Sequence, residues 1–161
     1  MSTNLSGFFR ILSRNLNGAG CVDTAIKLST AVRDAERNGI DIICFQETKS
    51  KTNNWILTQL IKSDLAEWIV MESTNLGLAR NGVAILISKR AHFTEIKETY
   101  ADSRDANGWV NEVDGNGSNG RVLVCSFKFK NEVYVLGNFY APSSTRDEKK
   151  SFFEHYKEVC V

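Results

Sequence analysis

Apolar residues in this chain gather into short runs separated by polar clusters. Ile42-Ile43-Cys44-Phe45 is uninterrupted and rich in β-branched residues, and the stretch 40–45 is expected to be a strand covered on both faces. Residues 11–18, Ile-Leu-Ser-Arg-Asn-Leu-Asn-Gly, read as an earlier strand that ends in polar residues. Between the two, Val22, Ile26, Leu28, Ala31, Val32 and Ala35 recur at roughly helical spacing, which predicts a helix over 23–37. Asn38-Gly39 closes it, as glycine beyond a helix commonly does. Strand, helix and strand in this order make a βαβ unit, which implies parallel neighbours.

Further along, Asn53 is placed to cap a second helix running to about residue 65, with Trp55, Ile56, Leu60 and Ile61 inward. A strand is expected to begin over 68–71 and another to occupy 83–88, with a polar loop over 73–81 between them. Residues 93–100 alternate without a clean apolar face and read as an edge strand. The stretch 102–120 contains Asn107-Gly108 and Gly115-Asn116-Gly117-Ser118-Asn119-Gly120, and reads as a hairpin connection. Residues 122–127 and 133–139 are expected to pair across the turn Lys130-Asn131-Glu132. A final helix is expected from 145 to about 159, with Phe152, Phe153, Tyr156 and Val159 on one face.

Composition narrows the class. The chain has 161 residues, 42% of them hydrophobic, enough for one domain with its own core. No apolar run reaches membrane-spanning length, and no charged segment followed by an apolar one opens the chain, so neither an anchor nor a signal peptide is expected. Cys21, Cys44, Cys125 and Cys160 are scattered, without a Cys-x-x-Cys pair, which argues against a zinc site and for a reducing, intracellular compartment, nuclear or cytoplasmic. The net charge of +1 is not the basic footprint of a protein that lives on phosphate contacts, but it leaves room for a local patch.

Candidate chemistry sits at strand ends. Gln46, Glu47, Thr48 and Lys49 arrive together where the run 42–45 stops. Ligands of open α/β sheets bind outside the carboxyl ends of strands. Glu47 is therefore placed to hold a hard cation such as Mg²⁺. The competing reading is a solvated loop residue after an ordinary strand.

Ile-Leu-Ser-Arg-Asn-Leu-Asn-Gly, Asp-Ile-Ile-Cys-Phe-Gln-Glu-Thr-Lys, Asn-Gly-Val-Ala-Ile-Leu-Ile and Val-Leu-Gly-Asn-Phe-Tyr-Ala-Pro-Ser-Ser, in this order, resemble the endonuclease/exonuclease/phosphatase superfamily. The resemblance runs from Phe9 to about Tyr156. Its nearest flavour is the endonuclease domain of LINE-type retrotransposons, in which Tyr-Ala-Pro is followed by a charged stretch and a Phe-Phe helix, as in Tyr140-Ala141-Pro142 and Phe152-Phe153. It implies an α/β fold, a partial four-layer α/β sandwich, over 1–161 as a single, C-terminally truncated domain. It implies Mg²⁺, or Mn²⁺ in its place, held by Glu47 with Asn17 as a neutral oxygen ligand. Asn15 would hydrogen-bond catalytic groups or phosphate, and Tyr140 would donate its hydroxyl to phosphate. Lys49, Ser143 and Arg146 would contact substrate. Lys49, Tyr140 and Arg146 have plainer readings: a solvated lysine, an aromatic capping a sheet edge and an exposed arginine at a helix start.

Two parts of the family pattern have no counterpart here. Neither Gly-Asp-x-Asn nor Ser-Asp-His occurs, and His92 and His155 are not preceded by Asp. Arg14 stands where relatives often have Trp, and an arginine pointing into a sandwich interior would need a partner. Ser143 stands where relatives often have Asn. The expected function is a truncated Mg²⁺-dependent DNA endonuclease or phosphodiesterase of retrotransposon type with doubtful intrinsic activity. The alternatives are an inactive remnant and a phosphoesterase acting on a lipid or inositol phosphate. Partners would be DNA or another phosphodiester, no membrane, and further copies of the chain through an uncovered sheet edge.

Overall fold

The computed structural model describes residues 7–18, 22–50, 52, 54–75, 80–104, 120–143 and 145–161, the side chains of 22–24 excepted. β1 (Ile11–Asn15), α1 (Val22–Arg37) and β2 (Ile42–Gln46) form the expected βαβ unit. β1 lies parallel to β2, with Ile11 opposite Ile42 and Asn15 opposite Gln46. After α2 (Trp55–Lys62), β3 (Trp68–Ser73) and β4 (Val83–Ser88) complete a sheet of order β1-β2-β4-β3. β5 (Thr94–Ala101), β6 (Val122–Phe129) and β7 (Glu132–Phe139) make a second, antiparallel sheet, followed by α3 (Arg146–Tyr156).

The apolar runs explain the layering. Successive strand residues point to opposite faces, so a run can serve two cores at once. Ile43, Phe45, Ala84 and Leu86 face α1 and α2, meeting Leu28, Val32, Ile56 and Leu60. Ile42, Cys44, Ile85 and Ile87 face the second sheet and pack on Leu123, Cys125, Phe127 and Phe129. On the far side of that sheet, Val122 and Val124 receive Phe152 and Tyr156 of α3. Helices, sheet, sheet and helix give the expected four-layer α/β sandwich. Phe45, Ile85 and Leu86 are fully buried, each contributing about 1.5–3 kcal/mol. Phe9 closes one end of the inter-sheet core, with edge contacts to Phe93, Phe127, Phe129 and Tyr134 at 5.1–5.5 Å.

Several expectations need correction. Ile26, Ile61 and Phe153, expected inward, are 62%, 59% and 51% exposed, because each falls just outside the stripe that meets a neighbouring layer. The cap position of α2 belongs to Asn54, in the left-handed region at φ 66° and without a side-chain cap; Asn53 lies outside the described residues, as does the Gly- and Asn-rich stretch 105–119. The turn between β6 and β7 is Lys130-Asn131 alone, both left-handed, and Glu132 already belongs to β7. Ser73, Thr74, Asn75 and Asp102, read as polar loop, are buried. Asp102 opens a short 3₁₀ turn and accepts hydrogen bonds from the Ser73 hydroxyl and from the backbone N–H groups of Gly120 and Arg121. Arg14 is exposed rather than interior, since β1 is an edge strand with its side chains largely in solvent.

Candidate functional site

Three chain segments meet where β1, β2 and β7 end. Beyond β2 the backbone turns sharply: Glu47 and Lys49 both lie in the left-handed region, at φ 51° and 50°. This is a costly conformation for side chains with a Cβ. The neighbouring strand entry holds it in place. Thr48 N–H donates to Gly82 C=O at 3.1 Å and Lys49 N–H to Asn81 C=O at 2.7 Å. Gly82 itself has φ 90°, and a Cβ there would stand 2.1 Å from Thr48 Oγ1. From β1, Leu16 N–H donates to Gln46 C=O at 2.9 Å and Gly18 N–H to Glu47 C=O at 3.1 Å. The polar tails of two strands are thus stitched into one rim.

On that rim the Glu47 carboxylate is the centre. Its Oε1 accepts from Asn15 Nδ2 at 2.9 Å and from the Tyr140 hydroxyl at 2.7 Å. Asn15 is oriented by its own Oδ1, which accepts from Asn17 N–H at 2.7 Å. Lys49 Nζ stands 3.7 Å from Oε2. The hydrogen bonds from Asn15 and Tyr140 hold the Glu47 carboxyl below the usual carboxylate range, against a smaller opposing effect of burial. Burial, then the bond to Glu47, pushes the Tyr140 phenol up, so Tyr140 keeps its proton and acts as a donor at neutral pH.

Beneath the rim lies a residue that sequence reading passed over. Asn138 is 3% exposed and bridges the two sheets. Its Nδ2 donates to Phe45 C=O at 2.8 Å and Ala84 C=O at 2.9 Å, and its Oδ1 accepts from Gln46 Nε2 at 2.8 Å. Gln46 precedes Glu47, and Asn138 lies two residues before Tyr140, so this amide pair sets the spacing of the hydroxyl and the carboxylate. The available signal was a lone amide inside an otherwise apolar strand, which must find partners when buried. Arg121 was also passed over; its guanidinium lies 5.1 Å over the Tyr140 ring. A groove of about 540 Å³ runs from Asn15 and Tyr140 down between β1 and β7, floored by Cys44, Gln46 and Asn138.

The structure brings Asn15, Asn17, Glu47, Lys49 and Tyr140 together. Ser143 is exposed beyond β7, and Arg146 is exposed in the first turn of α3; neither joins the hydrogen-bonded cluster. His92 and His155 are exposed, the latter edge-on to Tyr156. Among the described residues no group of three or more His, Cys, Asp or Glu could hold a metal ion. With Oε1 taken by two donors, Oε2 of Glu47, which Lys49 Nζ approaches at 3.7 Å, is the oxygen that a cation would have to share with that lysine. Magnesium uses one or two carboxylates and completes its shell with water and substrate phosphate. The donor set fits a weakly held cation at the lower end of that range.

No protein-family model and no curated protein matches the sequence. Solved structures match in fold. The chain is 14% identical to the endonuclease domain of TRAS1, a telomere-specific non-LTR retrotransposon, over 94% of its own length and 53% of that chain, with a TM-score of 0.56. It is 14% identical to TDP2 of D. rerio, solved with a single-strand DNA product, over 93% and 55% of the two chains, with a TM-score of 0.59. It is 13% identical to an endonuclease/exonuclease/phosphatase family protein from Leptotrichia buccalis, over 94% and 62%, with a TM-score of 0.56. The fold is that of the endonuclease/exonuclease/phosphatase type. The chain spans roughly half the length of the structures it matches.

Proposed function

We propose that the rim around Glu47 is part of a metal-assisted phosphodiester-hydrolysing site of DNA endonuclease type, with very low activity in this chain alone. The observation that carries this reading is the single Glu47 oxygen shared by Asn15 and the Tyr140 hydroxyl at the ends of three strands. Glu47 would hold Mg²⁺ or Mn²⁺, with Asn17 beside it as a neutral ligand. When bound, the ion would polarise a phosphoryl oxygen. Asn15 fixes the carboxylate. Tyr140, protonated at neutral pH, would turn its single O–H from Glu47 to a phosphate oxygen, and Lys49 offers positive charge beside Glu47. Ser143 and Arg146 are proposed only as outer substrate contacts.

Low activity follows from the donor count. The described residues offer one carboxylate at the rim and no histidine near it, so none of the described side chains is placed to activate water. A positioned general base contributes about 10²–10⁴-fold, and electrostatic stabilisers contribute about 10²–10³-fold more. Half-length coverage of the structures in the same fold supports reading 1–161 as part of a fuller domain. The open edges of β1 and β7 support association with another chain. Free Cys44 and Cys125, both buried, support a reducing nuclear or cytoplasmic setting. No described helix is long and apolar enough to cross a membrane. The cation part of this reading is tested by Mn²⁺ titration followed by electron paramagnetic resonance. Saturable binding, roughly millimolar given one carboxylate, should disappear in Glu47→Gln. Binding unaffected by that substitution would move the site elsewhere.

A further inference from the structure

Glu47 follows β2 of the first sheet and Tyr140 follows β7 of the second, yet their side chains meet at 2.7 Å. Asn138 holds the two sheets at that separation. Its Nδ2 donates both protons to main-chain carbonyls of the first sheet, Phe45 C=O on β2 and Ala84 C=O on β4. Its Oδ1 accepts from Gln46, the residue before Glu47. At 3% exposure, an amide that lost one of these partners would have no water to replace it. On the far side of the sandwich the sheets are pinned by Ser73 to Asp102 and by Arg104 to Glu72 C=O. Asn138 does the same on the side of the rim.

The consequence falls on the carboxylate. Each of its oxygens has about two lone-pair sites. Asn15 and Tyr140 fill both on Oε1, which leaves Oε2 for a cation. Lys49, 3.7 Å from Oε2, opposes every divalent ion alike. The number of open oxygens does not treat them alike. Calcium takes about six to eight oxygens in flexible geometry and accepts both oxygens of one carboxylate. Magnesium demands near-octahedral geometry and keeps several waters. A carboxylate that offers one oxygen suits the second ion.

We propose that Asn138 is a positioning residue that sets the cation preference of the rim: by keeping the Tyr140 hydroxyl on Oε1 it restricts Glu47 to one open oxygen, which favours Mg²⁺ or Mn²⁺ over Ca²⁺. This rests on the reading of Glu47 as a cation ligand. A plainer role, in which Asn138 only ties the sheets together, predicts a loss of stability and no change in cation preference.

The two separate in a competition experiment. Bound Mn²⁺ is followed by electron paramagnetic resonance while Ca²⁺ is added to the wild-type chain, Tyr140→Phe, Asn138→Ser, their double variant and Glu47→Gln, with thermal melts run alongside. Tyr140→Phe frees a lone pair of Oε1 directly, and Asn138→Ser frees it by letting the sheets part. Both should raise the affinity for Ca²⁺ relative to Mn²⁺ by about tenfold, the low end of what a group that orients a metal ligand is worth. The double variant should shift the ratio no further than Tyr140→Phe, because Asn138 acts through Tyr140. Should Asn138→Ser fail to fold, Gln46→Met removes the amide that Asn138 Oδ1 accepts from, at the half-buried end of the bridge, and should move the ratio the same way. A lower melting temperature with the wild-type ratio in Asn138→Ser, or in Gln46→Met where it stands in, overturns the role of Asn138 and leaves the Glu47 reading standing. So does a shift confined to Tyr140→Phe. Mn²⁺ binding that survives in Glu47→Gln overturns the Glu47 reading and this inference with it.

Discussion

At the scale of single residues, polar groups carry the information that apolar patterns lack. Glu72 is 6% exposed at the end of β3, and its Oε1 accepts from Ile56 N–H at 3.4 Å in the first turn of α2. It does for that helix what Asn54 does not. Burial nevertheless pushes its carboxyl up to about 7, from an ordinary 4.5, because the hydrogen bonds only partly offset the loss of water. Between these values the folded chain keeps a proton that the unfolded chain releases. This group's contribution to stability therefore falls as pH rises through that window. Glu72→Gln keeps the acceptor and removes the charge. Urea melts should show it more stable than wild type at about pH 8, by on the order of 3 kcal/mol, and nearly equal at about pH 4. An equal gain at both pH values would show that the carboxyl is not titrating in the fold. Asn138 and Arg121 share with Glu72 the property that made them illegible in sequence. Their meaning lies in partners far along the chain, such as Phe45 for Asn138 and Asp102 for Arg121.

At the scale of elements, the sequence was most readable where one run of residues serves two faces. β4 has its expected bounds and β2 lies within two residues of its own, because short, β-branched-rich apolar runs such as Ile42 to Phe45 and Val83 to Ile87 suit a strand covered on both faces. Helices were found but their faces were partly misjudged, since the inward stripe depends on which layer the helix meets. Phe153 shows this: α3 buries Phe152 and Tyr156 and leaves Phe153 half exposed. Glu47, Asn15 and Tyr140 were legible because each closes a strand with a polar or amphipathic residue. The left-handed backbone that aims Glu47 was not, because it is imposed by Asn81 and Gly82 at the entrance of β4. Gly82→Ala tests that coupling. The strained φ and the 2.1 Å approach to Thr48 Oγ1 should together cost about 2–4 kcal/mol. A chemical denaturation curve indistinguishable from wild type would show that the Thr48 turn can relax freely.

At the scale of the whole molecule, the edges of the two sheets are unequal. β5 is broken by register shifts and carries Glu95, Lys97 and Glu98, devices that discourage pairing. β7 has only Glu132 as a charge and exposes Val133 and Val135 at 67% and 51%; β1 exposes Ile11 at 46%. Both edges border the groove that leads to Asn15 and Tyr140. Concentration-dependent association through these edges is expected in sedimentation velocity, and Val135→Lys should shift the chain toward monomer. A wild-type chain that stays monomeric at high concentration with a cooperative melt would contradict this.

The most direct test of the Glu47 rim as a phosphodiester site is nicking of supercoiled plasmid with Mg²⁺ or Mn²⁺, comparing the wild-type chain with Glu47→Gln. Nicking at most barely above background is expected for the wild type, falling to background in the variant. Robust nicking by wild type that Glu47→Gln abolishes would contradict the low activity while keeping the site; nicking equally strong in both would contradict the assignment of the site to Glu47.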